Sequence, residues 1–235
     1  MISRRYICGS LALAVPFVAG AARAQAPECQ IFTKDRQTAT TPAEALARLK
    51  AGNERFVAGK SINCDLMAQV RATATGQAPY ACIVGCIDSR VPPELVFDQR
   101  LGDVFTARIA GNFVNTDIIG SLEFGTKLVG ARLIVVLGHS DCGAIKGAID
   151  GAELGLLTAT LANIKPAVKA NASYAGDKTS KNTAFVQAVA DSNAKLAARM
   201  LTDRSAVLKG LVDAKQLLIV AAMHDLSTGK VSFFA

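Results

Sequence analysis

The chain has 235 residues, 51% of them hydrophobic and 19% charged. That is enough apolar material for one good core, and it excludes a disordered polyelectrolyte. The formal charge is +7, but Arg4, Arg5 and Arg23 lie in an acid-free opening segment, and without them the rest carries +4; no basic run is interleaved with aromatics, which argues against a nucleic-acid partner.

The opening residues, 1–24, read as a cleavable export signal. They have a basic start, an apolar segment from Ile7 to about Ala22, and the small-x-small ending Ala22-Arg23-Ala24. A membrane anchor is the alternative. The short apolar run, Pro16 within it and the polar stretch after it favour cleavage, with no stable membrane span afterwards. Ser3-Arg4-Arg5 resembles a twin-arginine signal, although paired arginines also open ordinary secretory signals. The expectation is an exported protein, periplasmic in a Gram-negative source. Cys8 leaves with the signal. Cys29, Cys64, Cys82, Cys86 and Cys142 remain, an odd number, so not all can pair. In an oxidising compartment Cys29 and Cys64 can form a disulfide, a pairing that spacing alone leaves open.

Residues 25–40 look like an irregular arm. A helix is predicted from Thr41-Pro42-Ala43-Glu44, with Thr41 as N-cap, Pro42 at the first helical position and Glu44 closing a capping box. A second helix is predicted over 63–75. Four short apolar runs follow: 80–86, 104–110, 132–138 and 216–223. They read as strands buried on both faces, as in a covered parallel sheet. Helical patterns separate them at 115–130, at 141–170 with a break near Pro166, and at 183–212, while 171–182 is a polar loop. A last strand, 230–234, follows the turn Ser227-Thr228-Gly229 closely enough to pair antiparallel with its predecessor. The sum is one α/β domain over 25–235. It has a central, mostly parallel sheet flanked by helices, a C-terminal antiparallel edge strand and arm helices within 41–75.

Two strands end in reactive side chains. Cys86 closes the run 80–86, and the run 132–138 leads into His139 and Cys142. In an open α/β sheet the functional crevice lies beyond the carboxyl ends of the strands. Taken singly, a buried Cys is usually a small hydrophobe and His-x-x-Cys is a weak signal. Together, two thiolates and one imidazole form a soft set that selects zinc, and three protein ligands leave a tetrahedral position open, as in catalytic zinc sites. Residues 86, 88 and 90 would point one way in an extended backbone. Asp88 would then face the metal and Arg90 would hold Asp88 ionised. Such a carboxylate can steady a zinc-bound hydroxide for attack, or ligate zinc itself and close the site.

At these residues the sequence resembles the β-class carbonic anhydrases. The matching stretches are "CIDSRVPPE" (86–94), "GDVFTARIAGN" (102–112) and "GHSDCGAIKGA" (138–148), with weaker likeness at 49–60 and 224–234. The resemblance implies one zinc per subunit on Cys86, His139 and Cys142. It implies Asp88 and Arg90 as the catalytic dyad, and reversible hydration of CO₂ to bicarbonate and a proton. It further implies that Gln77, Phe105, Ala110 and Gly143 bind substrate, and that the protein is a homodimer or dimer-based oligomer with sites at the subunit interface. Phe124 stands where many members have a tyrosine, and Ile109 where an Asn is usual. Hydrolysis of CS₂ or COS on the same fold, or a non-catalytic zinc or bicarbonate-binding module, are the competing readings. Two thiolates should make the zinc water less acidic than three imidazoles would, so activity should rise through the alkaline side of neutral. His224, the one other histidine, reads as structural rather than as a proton relay.

Overall fold

The computed structural model describes residues 29–234; the proposed signal, 1–24, lies outside the described residues. Alternation within the apolar runs decides the architecture. In β1 (Ala81–Gly85), Cys82 and Val84 join one core cluster while Ala81 and Ile83 join another. β3 (Leu133–His139) divides likewise, Ile134 and Val136 to one side and Leu133, Val135 and Leu137 to the other. A strand apolar on both faces must be covered on both faces, and helices do this here.

The sheet order is β2-β1-β3-β4-β5, with β2 (Val104–Arg108), β4 (Leu218–His224) and β5 (Val231–Phe233). The first four strands are parallel, and β5 pairs antiparallel with β4 through Ala222↔Phe233 and His224↔Val231. This is the predicted architecture, with one correction. β2 is not buried on both faces: it is the edge strand, and Thr106 and Arg108 are exposed. Its sequence, Val-Phe-Thr-Ala-Arg, already carries the polar residues of such a position.

Helices α5 (Thr116–Glu123), α6 (Gly143–Asp150), α8 (Lys165–Ala170), α9 (Thr183–Arg204) and α10 (Ala206–Asp213) contribute to one core. On α9 the stripe Val186, Val189, Ala190, Ala194, Ala197, Leu201 faces the sheet. The other core holds Ala45 and Leu49 of α2 (Pro42–Val57) and Val96 of α4 (Pro93–Val96). α2 starts as expected, with the Thr41–Glu44 capping box formed and Pro42 in its first turn.

Several boundaries differ from the sequence reading, each for a local reason. The arm is not wholly irregular: Thr33 caps α1 (Lys34–Ala39), and Gln37 anchors it by donating to the Pro79 carbonyl at 2.6 Å. The helix expected over 63–75 is α3, Leu66–Thr73, because Asp65 serves as its cap. Pro166 sits in the first turn of α8 rather than breaking a longer helix, and α6 already ends at Gly151, where φ is +67°. The pattern over 141–170 therefore makes three helices, with α7 (Gly155–Ala162) between those two. Ser205 divides 183–212 by capping α10, accepting from Leu208 N at 3.0 Å. α5 runs on as a π-helical turn over Phe124–Leu128. Cys29 and Cys64 are joined in a disulfide. Among the described residues, no helix is long and apolar enough to cross a membrane.

Candidate metal centre

The strand order reverses at β1: β2 is added on one side of it and β3 on the other. Beyond the carboxyl ends of β1 and β3 a crevice opens, and three ligand-type side chains meet there. Cys86 follows β1 directly, His139 is the last residue of β3, and Cys142 is the residue before α6. Asp141, at φ +56°, turns the chain between the last two. All three are buried, and their ligand atoms lie within 4.8 Å of one another, with the two sulfurs 4.0 Å apart.

The imidazole is oriented from behind. His139 Nδ1 lies 2.9 Å from the Ser140 carbonyl oxygen, which fixes Nδ1 as the donor and leaves Nε2 to offer its lone pair. Nε2 is buried with no hydrogen-bond partner among the described residues. A buried acceptor facing two thiols is an unfilled valence, and a tetrahedral zinc fills it. The donor set is too soft for calcium or magnesium. The residues therefore fit zinc. The two thiols are inequivalent: the sulfur–sulfur hydrogen bond from Cys142 lowers the Cys86 thiol, and the same bond raises Cys142. Burial works against a charged His139, but the neighbouring Cys86, the Ser140 carbonyl and Asp88 together raise it overall.

Asp88 and Arg90 form the predicted pair. Arg90 Nε donates to Asp88 Oδ1 at 2.9 Å and Nη2 to Oδ2 at 2.8 Å. This fork holds the Asp88 carboxyl well below the usual carboxylate range. Asp88 Oδ2 lies 3.8 Å from His139 Nε2, at the edge of the ligand cluster. The cause of this geometry is not strand alternation, as expected from sequence. β1 ends at Gly85, and residues 88–91 form a turn in which Arg90 N donates to Asp88 Oδ1 and Val91 N to the Asp88 carbonyl.

Three residues that the sequence reading did not single out support the centre. Arg108 Nε donates to the Cys86 carbonyl at 2.9 Å and Nη2 to that of Asp88 at 2.5 Å, clamping the loop that carries both. Gly111 N donates to Cys86 Sγ at 3.3 Å. That peptide needs glycine: φ is +83°, and a Cβ would meet Ile164 Cδ1 at 2.4 Å. Asn193 on α9 holds it in place by donating from Nδ2 to the Gly111 carbonyl at 2.7 Å. Arg108 and Gly111 lay within a stretch flagged as a motif. Asn193, 82 residues from Gly111, gave no local signal.

The four substrate-binding candidates fall in two groups. Gly143 adjoins Cys142, and Ala110 adjoins the Gly111 peptide, so both border the centre. Phe105 pairs in register with Cys82, four residues before Cys86, and its ring lies 6.3 Å from that of Phe124. Gln77 is exposed on the segment entering β1, at the opposite end of the strand from Cys86. One chain does not bring these two to the metal ligands. His224 is buried beside His139 in the sheet register, with neither ring nitrogen bonded among the described residues; burial, then the neighbouring His139, lowers it.

The model of the family described as carbonic anhydrase matches residues 81–231. The chain belongs to the carbonic anhydrase family. A carbonic anhydrase of Pseudomonas aeruginosa is 30% identical over 167 residues, covering 68% of this chain and 76% of that one. Carbonic anhydrase 2 of Mycobacterium tuberculosis is 45% identical over 119 residues, half of this chain; the match spans 58% of that relative's length. In fold the chain is similar to the β-carbonic anhydrase CafA of Aspergillus fumigatus, with a TM-score of 0.65 at 22% identity, covering 82% of this chain and 89% of that one. It is also similar to the β-carbonic anhydrases of Sordaria macrospora, described as tetrameric, with a TM-score of 0.63 at 24% identity, covering 72% and 90%. The carbonic anhydrase fold expected from the motifs is thus the fold found.

Proposed function

We propose that the protein catalyses CO₂ + H₂O ⇌ HCO₃⁻ + H⁺ at the Cys86–His139–Cys142 centre. The observation that carries this reading is Asp88, ionised by the Arg90 fork and placed 3.8 Å from His139 Nε2. Zinc, when bound, supplies a Lewis acid that makes water acidic enough to yield a nucleophile near neutral pH. The chain's residues do the rest. Cys86, His139 and Cys142 hold the ion, with the Ser140 carbonyl and the Gly111 N–H fixing two of them. Asp88, an acceptor on both oxygens, takes a hydrogen bond from the attacking water's O–H and aims its lone pair at carbon. Arg90 keeps Asp88 from taking up the proton itself.

Two further parts belong to this proposal. The first is a homodimer in which a second copy brings Gln77 and Phe105 to the centre that one chain leaves without them. Phe124 and Leu128, 51% and 75% exposed beside the open β2 edge, are apolar surface that such a partner would cover. The second is export, supported by the leader-like opening and by the Cys29–Cys64 disulfide, which suits an oxidising compartment.

The test is stopped-flow CO₂ hydration on protein starting at Gln25, with zinc quantified in the same sample. Asp88→Asn is expected to keep its zinc and lose roughly a hundredfold or more in turnover. Cys86→Ser is expected to lose both metal and activity. A wild type holding one zinc per chain without hydrating CO₂ would refute the reading.

A further inference from the structure

At the other end of the sheet from the metal centre, a cavity of about 230 Å³ lies between α1, α2 and the entries to β1 and β2. Tyr80 N donates to the Asp103 carbonyl at 2.9 Å and ties those two entries together. The lining holds four guanidiniums, of Arg36, Arg48, Arg55 and Arg100, against two carboxylates. One carboxylate is already engaged: Asp98 accepts from Arg55 Nε at 2.5 Å and from Arg100 Nη1 at 3.1 Å. Arg36 and Arg48 are held differently. Both pack over the Phe32 ring, with their guanidinium carbons 4.7 and 5.1 Å from its centroid. Among the described residues neither has a carboxylate within ion-pair distance. Arg100, buried in the wall, has an Nε without a hydrogen-bond partner among the described residues.

Two like charges fixed against one ring repel each other, and a surplus of guanidiniums in a concave site is the electrostatic complement of an anion. Arginine matches oxyanions in particular, because its planar fork donates two parallel hydrogen bonds. The Cys29–Cys64 disulfide adds definition to the rim, since Gln30 and Ile62 both line the cavity close to it. We propose that this cavity is a binding site for a small oxyanion, separate from the metal centre, with Arg36 and Arg48 as its principal ligands. The volume admits an ion the size of inorganic phosphate.

The experiment uses the zinc-loaded protein and inorganic phosphate as the probe. Heats of binding and the thermal midpoint are measured in phosphate and in chloride of equal ionic strength. The wild type is expected to bind phosphate with a measurable heat and to gain thermal stability over the chloride control. Arg36→Gln, at a half-buried position where Nη1 also donates to the Ile31 carbonyl at 3.3 Å, and Arg48→Gln, at an exposed one, are each expected to weaken phosphate binding about tenfold, as befits loss of one charge-assisted contact, with CO₂ hydration in chloride buffer unchanged. A phosphate effect no greater than that of chloride would overturn the proposal, since it would be screening only. Phosphate binding that survives both substitutions would also overturn it, because the ion would then sit elsewhere, such as the metal centre. A change of oligomeric state in the variants without phosphate binding by the wild type would show that the arginines face a second copy instead.

Discussion

Cys86 is held at two points, and one of its holders is itself held. Its carbonyl accepts from Arg108, its sulfur accepts from Gly111 N, and Gly111 in turn is pinned by Asn193. Removing the last of these should be felt at the metal. Asn193→Ala leaves the Gly111 carbonyl unpaired in a buried place, which costs about 1–3 kcal/mol of stability. It also loosens Gly111, whose N–H donates to the Cys86 sulfur, so zinc should pass to a chelator faster, and the thiolate-to-metal absorption of a cobalt-substituted protein should shift. Weakened folding with unchanged zinc release and unchanged absorption would separate Asn193 from the centre. Asp103 gives a second test. Burial pushes its carboxyl up to about 6, above an unfolded value of 3.8. A raised acid binds more protons folded than unfolded, so stability from this group is present below pH 4 and lost as pH rises through 6, by roughly 3 kcal/mol at most. Asp103→Asn should remove that loss. The difference in stability between the variant and the wild type should therefore move in the variant's favour from pH 4 to 6; a constant difference would contradict the argument. At this scale the ligands were legible in the sequence, because Cys86, Asp88, Arg90, His139 and Cys142 sit at short spacing beside apolar runs. Their supports were not, because Asn193 reaches Gly111 only through the packing of α9 on the sheet.

The elements followed from the sequence where periodicity was strong and faltered where caps decide. All five strands were readable from β-branched runs, and α2 from its capping box. Thr33, Asp65 and Ser205 each start a helix by accepting one backbone N–H, and a single polar residue is a faint signal against a long apolar pattern. β2 has the propensity of a central strand, and its edge position shows in the sequence only through Thr106 and Arg108, a weak signal within an apolar run. The arm carries the clearest prediction at this scale. The Cys29–Cys64 bond closes a loop with a sequence separation of 35 residues, and the chain-entropy model assigns such a loop about 4 kcal/mol. Reduction, or Cys29→Ser with Cys64→Ser, should lower the thermal midpoint by several degrees while leaving the zinc content intact, since neither cysteine belongs to the centre. A midpoint unchanged by reduction would mean that the α1 contacts, such as Gln37 to Pro79, hold the arm without it.

At the scale of the molecule, the geometry poses a problem that one chain does not solve. Gln77 enters β1 at the end remote from Cys86, and the strand between them is five residues long, about 17 Å. If Gln77 serves the centre, it serves that of a second copy, across an isologous interface. Two crippled chains can then repair each other. A Cys86→Ser chain lacks metal but offers its Gln77; a Gln77→Ala chain holds metal but lacks the amide. In a mixed dimer one site combines both defects and is dead, while the other takes its metal ligands and its Gln77 from the undamaged halves and is whole. Random reassortment makes half the dimers mixed, each with one good site in two, so an equal mixture should recover about a quarter of wild-type CO₂ hydration above the residual rates of the parents. The parents must be unfolded and refolded together, or co-expressed, and the mixed species separated by tag. Recovery near a quarter in the whole mixture, or near a half in the purified mixed dimer, would place Gln77 across the interface. No recovery from a purified mixed dimer would mean that each chain works alone, and the substrate-binding role of Gln77 would fall with the shared site.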